Sequence, residues 1–213
     1  GEVVAVTLIS DILPGLSLAL HTEPLSILFA LLASGLWIVT SVYSIGYMRG
    51  NHEKHQTRFY ICFAIALCGA MGVAFSANLL TLFVFYEVLT LSTYPLVTHK
   101  GDDNARKGGR VYLGILLFSS IVLFLPAIIW TYALAGTLDF RPGGILQGNL
   151  DGYAATLLLF MFVLGIGKAA VMPMHRWLPA AMVAPTPVSA LLHAVAVVKA
   201  GVFTLIKVIV YIF

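Results

Sequence analysis

Long apolar stretches follow one another along this chain, with only short polar breaks between them. A helix of about 20 apolar residues crosses the roughly 30 Å core of a bilayer, and stretches of that kind recur along most of the sequence. Of the 213 residues, 60% are hydrophobic and 10% are charged, whereas a soluble domain carries about 25% charged residues. A water-soluble core could not cover so much apolar surface. The sequence therefore predicts an all-α, polytopic transmembrane helix bundle with about six spans.

The predicted spans form one transmembrane domain over residues 25–213. Residues 1–24 are interrupted by Asp11, Pro14 and Pro24 and are predicted to be an extended interfacial loop. The first residue is not Met and the last residues are still apolar, so we expect the sequence to be a piece of a longer protein. The six predicted spans are residues 25–47, 59–76, 79–97, 111–135, 153–172 and 188–213.

The fifth predicted span runs into a cluster of prolines. Proline cannot donate the helical hydrogen bond and clashes with the preceding turn, so we predict a broken helix that continues over residues 174–184. Non-helical backbone at membrane depth is tolerated only where it is buried in protein or lines a wet cavity. The prolines of this predicted break are Pro173, Pro179, Pro185 and Pro187.

Basic residues concentrate in two loops, residues 48–58 and 98–110. Both loops fall at the same end of the predicted bundle, and the positive-inside rule therefore predicts that they are cytoplasmic. The net charge of +3 is small and gives no basic patch of the kind that binds nucleic acid. The basic residues of the two loops are Arg49, Lys54, Arg58, Lys100, Arg106, Lys107 and Arg110.

Four charged side chains interrupt the apolar spans: Glu87, Lys168, Lys199 and Lys207. An ionisable group near the bilayer centre costs about 3 kcal/mol on insertion scales, so it normally faces the bundle interior or a water path. Lys207 is nearer the end of its span and is interpreted as an anchor that extends to the outer interface. Two interpretations of Glu87 and Lys168 stay open. They form either a static buried ion pair, or a pair whose changing separation lets the lysine exchange a proton.

Lys199 has no carboxylate near it in the sequence, so we expect it to be either neutral or charged in a hydrated cavity. His193 lies on the same predicted helix and is either a hydrogen-bonded core residue or an intermediate proton carrier. The sequence contains no phosphate-binding Gly loop and no Cys pattern typical of haem, iron–sulfur or metal sites. No cofactor and no metal are predicted.

The second half of the chain carries several highly specific motifs, and a glutamate motif precedes them. Together they resemble the antiporter-like family shared by respiratory complex I, membrane-bound hydrogenases and Mrp-type multisubunit cation/proton antiporters. The resemblance implies that spans two to six form the first of two inverted repeats, and the Val-Val-Lys-Ala-Gly motif is most similar to the D subunit of Mrp-type antiporters. The motifs occupy residues 78–80, 86–87, 167–170, 172–179, 184–193 and 198–202.

The resemblance also implies a role for each candidate residue. Glu87 would tune the lysine of the broken helix, Lys168 would be that lysine, Lys199 the central lysine and His193 the histidine before it. The chain departs from the family at Ala180, where many relatives carry Asp. A second repeat is missing, so these residues would not contain a complete path across the membrane.

The function that the resemblance implies is a proton-translocating, antiporter-like subunit of a multisubunit Na⁺/H⁺ antiporter, with a relay at the membrane midplane. Its implied partners are other membrane subunits, the lipid bilayer, protons and, as a further candidate, sodium. Its implied location is a bacterial or archaeal plasma membrane. Two alternatives stay open: a proton-pumping membrane-arm subunit of an NADH:quinone oxidoreductase or hydrogenase complex, and a structural membrane module without transport.

Overall fold

A computed structural model describes residues 4–13, 16–146 and 151–213. Its first elements are two antiparallel strands, β1 (Ala5–Leu13) and β2 (Leu16–His21), in which Ala5 lies opposite His21. The sequence predicted an extended loop here. The backbone is indeed extended in the described part, but it is paired into a hairpin because two apolar runs lie on either side of a short connection.

Four helices follow the hairpin: α1 (Pro24–Gly50), α2 (Gln56–Phe75), α3 (Leu79–Val97) and α4 (Asp103–Ser119). Side chains at the N-caps define where two of them begin. The carboxamide oxygen of Asn78 accepts a hydrogen bond from the Thr81 amide at 2.8 Å, and the Asp102 carboxylate accepts one from the Ala105 amide at 2.7 Å. Such caps satisfy backbone donors that have no partner within the helix.

A π-helical turn, Ser120–Phe124, joins α4 to α5 (Leu125–Ala135), so that residues 103–135 form one long helix. After a connector comes α6 (Gly152–Gly165). Two short helices, α7 (Trp177–Ala180) and α8 (Thr186–Ala190), lie in the proline-rich region. A second π-helical turn, Leu191–Val195, leads into the final helix α9 (Val197–Tyr211).

Five helical segments of the described residues are long and apolar enough to cross a membrane: α1, α2, α3, residues 103–135 and residues 186–211. The fifth predicted span, residues 153–172, is shorter than predicted, because α6 ends at Gly165. The helices differ in how they pack. Along α1, Leu31, Val39 and Val42 are 65–68% exposed, as expected for a helix whose outer surface faces lipid. In contrast, α2 and α3 pack closely at Gly72, where an added Cβ would lie 2.2 Å from the Phe85 ring.

The β-hairpin closes one edge of the bundle. The Ala77 amide donates to the Ala19 carbonyl at 2.9 Å, and the Asn78 side chain donates to the Ser17 carbonyl at 2.7 Å. The Leu79 amide donates to the Leu138 carbonyl at 3.0 Å. We call this the hairpin edge: the β-hairpin, residues 76–79 and residues 138–140. The loops predicted to be cytoplasmic lie at the other ends of the same helices.

Candidate functional site

Lys168 lies in a three-residue 3₁₀ turn, Gly167–Ala169, that follows the end of α6. Two glycines allow this turn to pack directly against the long helix of residues 103–135. A Cβ on Gly165 would lie 2.5 Å from the Phe124 backbone nitrogen, and a Cβ on Gly167 would lie 2.3 Å from the Ser119 hydroxyl oxygen. A side chain at either position would therefore push the turn away from its support.

Helix α9 supports the other side of the same turn. A Cβ on Gly201 would lie 2.3 Å from the Ala169 nitrogen and 2.5 Å from the Lys168 carbonyl carbon. From a third direction, the Trp177 indole donates to the Gly167 carbonyl at 2.8 Å. The backbone of the turn that carries Lys168 is thus held by contacts from three sides.

The broken helix predicted from the prolines is confirmed. Between the end of α6 at Gly165 and the start of α8 at Thr186, the described backbone forms only short helical turns. Pro185 precedes α8 and Pro187 lies in its first turn; Pro179 lies within α7, and Pro173 precedes the turn Met174–Arg176.

The Lys168 side chain is completely buried, and its ammonium group contacts neutral groups of α3. The Nζ atom donates to the Tyr86 carbonyl at 2.8 Å and also to the Thr90 hydroxyl. It lies 3.1 Å from the centroid of the Tyr86 ring, a favourable position for a cation. The Lys168 amide donates to the Tyr86 hydroxyl at 3.1 Å. Tyr86 and Thr90 are therefore the residues that hold this lysine.

Glu87 lies next to this lysine site but does not pair with it. Both of its carboxylate oxygens are buried, and neither has a hydrogen-bond partner among the residues that the structure describes. The ion pairs of those residues do not include one between Glu87 and Lys168. The static ion pair that the sequence left open is thus absent from this structure. A buried carboxylate without partners and a buried lysine without a counterion are both expensive states.

A second set of hydroxyl groups lies one turn further along α3. The Thr93 hydroxyl shares a short hydrogen bond with the Tyr112 hydroxyl, and both side chains are buried. The Tyr112 ring packs edge-on against Trp177, with 5.5 Å between the ring centroids. These contacts connect α3 and α4 to the broken helix that carries Lys168.

Lys199 and His193 are not brought into contact with Lys168. Lys199 is exposed on α9 and lines a pocket of about 260 Å³ together with Phe29 and Leu36 of α1. The His193 ring lies in the second π-helical turn, and its Nε2 atom is buried without a hydrogen-bond partner in the described part of the chain. The structure therefore groups Glu87 with Lys168, whereas Lys199 and His193 lie apart from them.

The interpretation of Lys207 as an interfacial anchor is wrong. Its side chain is completely buried, and its Nζ atom lies 2.6 Å from a carboxylate oxygen of Glu23 and 3.0 Å from the Ser76 carbonyl. The Phe140 ring lies 4.4 Å from the same atom. Burial alone would raise the pKa of Glu23, but hydrogen bonds from His21 and Lys207 and the charge of Lys207 lower this pKa to about 2. Lys207 does not extend to the outer interface, because its counterion, Glu23, lies within the protein.

The two basic loops meet at the edge opposite the hairpin. The Arg58 guanidinium donates to the His99 carbonyl at 3.5 Å, and the loops line an open pocket of about 510 Å³. The His99 Nε2 atom lies 4.0 Å from a Glu53 carboxylate oxygen, while burial and the nearby Arg58 lower the pKa of His99. Within residues 4–13, 16–146 and 151–213, no cluster of His, Cys, Asp or Glu could hold a metal ion.

Sequence reasoning missed Tyr86, Thr90 and Glu23. A signal for the first two existed, because they lie four residues apart on α3 and therefore share a helix face. Glu23 carried no such signal. It lies 184 residues before Lys207 in a region predicted to be a loop, and the folded structure brings the two side chains together.

Sequence comparison identifies two matching families. The family described as "NADH:quinone oxidoreductase/Mrp antiporter, TM" matches residues 76–213. The family described as "NADH-Ubiquinone oxidoreductase (complex I), chain 5 N-terminus" matches residues 14–60. Among curated proteins, those named antiporter subunit mnhA2 from Staphylococcus aureus are 28% identical over 194 residues, which is 90% of this chain and 24% of theirs. The chain thus spans about a quarter of the length of these relatives.

Two solved structures share the fold. The Mrp complex from Dietzia sp. DQ12-45-1b matches with a TM-score of 0.83 and 26% identity, over 95% of this chain and 22% of that one. The membrane-bound sulfane sulfur reductase, an archaeal respiratory membrane complex, matches with a TM-score of 0.81 and 21% identity, over 98% of this chain and 32% of that one. The relatives named here are mnhA2 subunits, so they do not support the finer resemblance to a D subunit. With one family covering residues 76–213, this membrane protein belongs to the NADH:quinone oxidoreductase/Mrp antiporter transmembrane family.

Proposed function

We propose that this chain is part of a proton-translocating, antiporter-like subunit of a multisubunit Na⁺/H⁺ antiporter. The observation that carries the proposal is Lys168, a fully buried lysine at a helix break, beside Glu87, whose carboxylate oxygens have no hydrogen-bond partner within the described chain. A lysine whose counterion is close but not bound has two arrangements available, and exchange between them would move a proton.

The proposed relay passes through Glu87 and Lys168 and continues to Lys199, with His193 as an intermediate carrier. Lys199 has no ionic or hydrogen-bonding partner among the described residues and lies at the surface of α9. Its role would require a group from outside these 213 residues. Because the chain spans only about a quarter of the mnhA2 relatives, the remainder of such a protein is the natural source of that group.

The proposed surroundings follow from the relatives and from the loop charges. Proteins similar to this chain are named as antiporter subunits or belong to membrane complexes, so we propose other membrane subunits as partners. The proposed location is a bacterial or archaeal plasma membrane, with loops 48–58 and 98–110 on the cytoplasmic side.

The test is a proton-flux assay in proteoliposomes that contain the longest native version of this protein with its partner subunits. We expect the Lys168→Ala variant to lose flux that is coupled to a sodium gradient while still inserting and assembling. A variant with the same substitution at exposed Lys54, which lies in a loop, is the matched control and keeps its flux. If coupled flux persists in vesicles that contain Lys168→Ala, the proposed relay is wrong.

A second candidate function is proton pumping in the membrane arm of a redox-driven complex. It is favoured by the match of residues 14–60 to a complex I chain and by the fold shared with an archaeal respiratory complex. Purification of the native complex separates the two functions. Iron–sulfur or quinone-binding subunits in stoichiometric amounts would favour the redox complex, and their absence together with sodium-coupled flux favours the antiporter.

A structural module without transport is the remaining alternative. It predicts that Glu87→Gln combined with Lys168→Met leaves the activity of the complex intact, because both substitutions remove charge while keeping similar bulk. Loss of coupled flux in an assembled double variant would exclude it.

A further inference from the structure

Two neighbouring side chains of α3, Thr90 and Glu87, could accept a hydrogen bond from the Lys168 ammonium group. Thr90 lies three residues after Glu87, and residues with that spacing are neighbours on a helix surface. The ammonium group contacts the Thr90 hydroxyl and the Tyr86 carbonyl, whereas the Glu87 oxygens, one helical turn away, have no hydrogen-bond partner among the described residues. A lysine has a flexible four-carbon stem, so we expect both acceptors to be within the range of its side chain.

The neutral acceptors form a binding position for an ammonium group. The Tyr86 carbonyl and the Thr90 hydroxyl take two of its three protons, and the Tyr86 ring, 3.1 Å from Nζ, covers one face. The Thr90 hydroxyl has its own donor bond to the Tyr86 carbonyl at 3.1 Å, which fixes its lone pairs towards the lysine. Hydrogen bonds to a charged donor are roughly twice as strong as neutral ones.

We propose that Thr90 and the Tyr86 carbonyl form a docking position that holds the charged Lys168 side chain away from Glu87, with Thr90 as the positioning residue. The inference rests on the proposed function and deepens it. It gives the lysine a second, neutral partner, so that release from Glu87 does not leave the ammonium unsolvated in the bundle. Without the dock, the lysine and the carboxylate would collapse into a permanent ion pair.

The test compares Thr90→Val with Thr90→Ser in the full-length protein in its native complex. Valine keeps the shape of threonine and removes the acceptor, whereas serine retains the hydroxyl. The readout is the infrared absorption of the Glu87 carboxyl group, identified as the band that disappears in Glu87→Gln. Thr131→Val is the matched control, because Thr131 is also a buried helical threonine that donates to a backbone carbonyl, at 2.8 Å, without contacting a lysine.

We expect Thr90→Val to convert the Glu87 band from that of a carboxylate without hydrogen-bond partners to that of a carboxylate bound to an ammonium group. Thr90→Ser and Thr131→Val are expected to leave the band in its wild-type position. An unchanged band in Thr90→Val would contradict the proposed docking position. An equal change in Thr90→Ser would also contradict it, because the Thr90 hydroxyl would then not determine where the lysine binds.

This readout separates the dock from the proposed function. The infrared band reports the partner of Glu87 whether or not the complex transports protons. If Lys168→Ala retains coupled flux, the relay is wrong regardless of the band. If Lys168→Ala abolishes flux and the band is insensitive to Thr90→Val, the relay stands and only the dock is wrong.

Discussion

Lys168 and Lys207 are both completely buried, yet the fold gives their ammonium groups different kinds of partner. Lys207 has a carboxylate at 2.6 Å and joins α9 to the start of α1. Lys168 is held by a carbonyl, a hydroxyl and a ring, while the nearby Glu87 carboxylate has no hydrogen-bond partner in the part of the chain that the structure describes. A neutralised buried charge fixes structure, whereas a charge left without its counterion is retained at a cost in stability. Such costs are typical of functional sites.

The largest effect on stability is expected at Lys207. Lys207→Met leaves the largely buried Glu23 carboxylate without its cation, and removing one partner of a buried pair costs about 3 kcal/mol. Thermal unfolding of the purified complex would measure the loss. The double variant with Glu23→Gln is the control, and we expect it to recover to within about 1 kcal/mol of the wild type. A single variant as stable as the wild type would remove the distinction between the two lysines.

A somewhat smaller loss is expected when the support of Lys168 is changed. Gly201→Ala places a Cβ 2.3 Å from the Ala169 nitrogen, and overpacking of this kind costs about 2 kcal/mol. We expect coupled flux to fall as well, because the turn that carries Lys168 must move.

Gly114→Ala is the matched control for Gly201→Ala, since a Cβ there meets nothing within 4 Å. It is expected to be neutral or slightly stabilising, because alanine is the better helix former. Equal effects at the two glycines would show that backbone contact does not position the turn.

A smaller effect of opposite sign is expected for Lys168→Met. The substitution removes a buried charge that has no counterion in contact, so we expect the free energy of unfolding to rise by about 1 kcal/mol or to stay unchanged. Unfolding in denaturant would measure it. A loss similar to that of Lys207→Met would mean that Lys168 is also a structural lysine.

The smallest effect is expected in acid. The pKa of Glu23 is lowered from 4.5 to about 2 by its partners, so its stabilising contribution is fully present above pH 4.5 and is lost as the pH falls towards 2. Melting temperatures at pH about 6 and about 3 would show the wild type losing more than the double variant Glu23→Gln, Lys207→Met. The same loss in both proteins would place the acid sensitivity elsewhere.

The helices were predictable because apolar length is a local property of the sequence. The break was predictable because prolines and glycines act on their own backbone. The end of α6 at Gly165 was not, since it depends on the close approach of Phe124 to a glycine far along the chain. The burial of Glu87 and Lys168 was expected from the cost of charge in lipid, but their separation depends on Thr90, whose hydroxyl has no special status in the sequence.

The two π-helical turns, Ser120–Phe124 and Leu191–Val195, each insert one residue into an otherwise α-helical path. Every side chain beyond such an insertion is rotated by about 100° relative to those before it. The π-helical turn Leu191–Val195 therefore determines the direction in which the Lys199 side chain leaves α9. Deleting one residue from Leu191–Val195 would remove the extra residue of the π-helical turn. Helix α9 would then be rotated about its axis, and both of its lysines would point in a different direction.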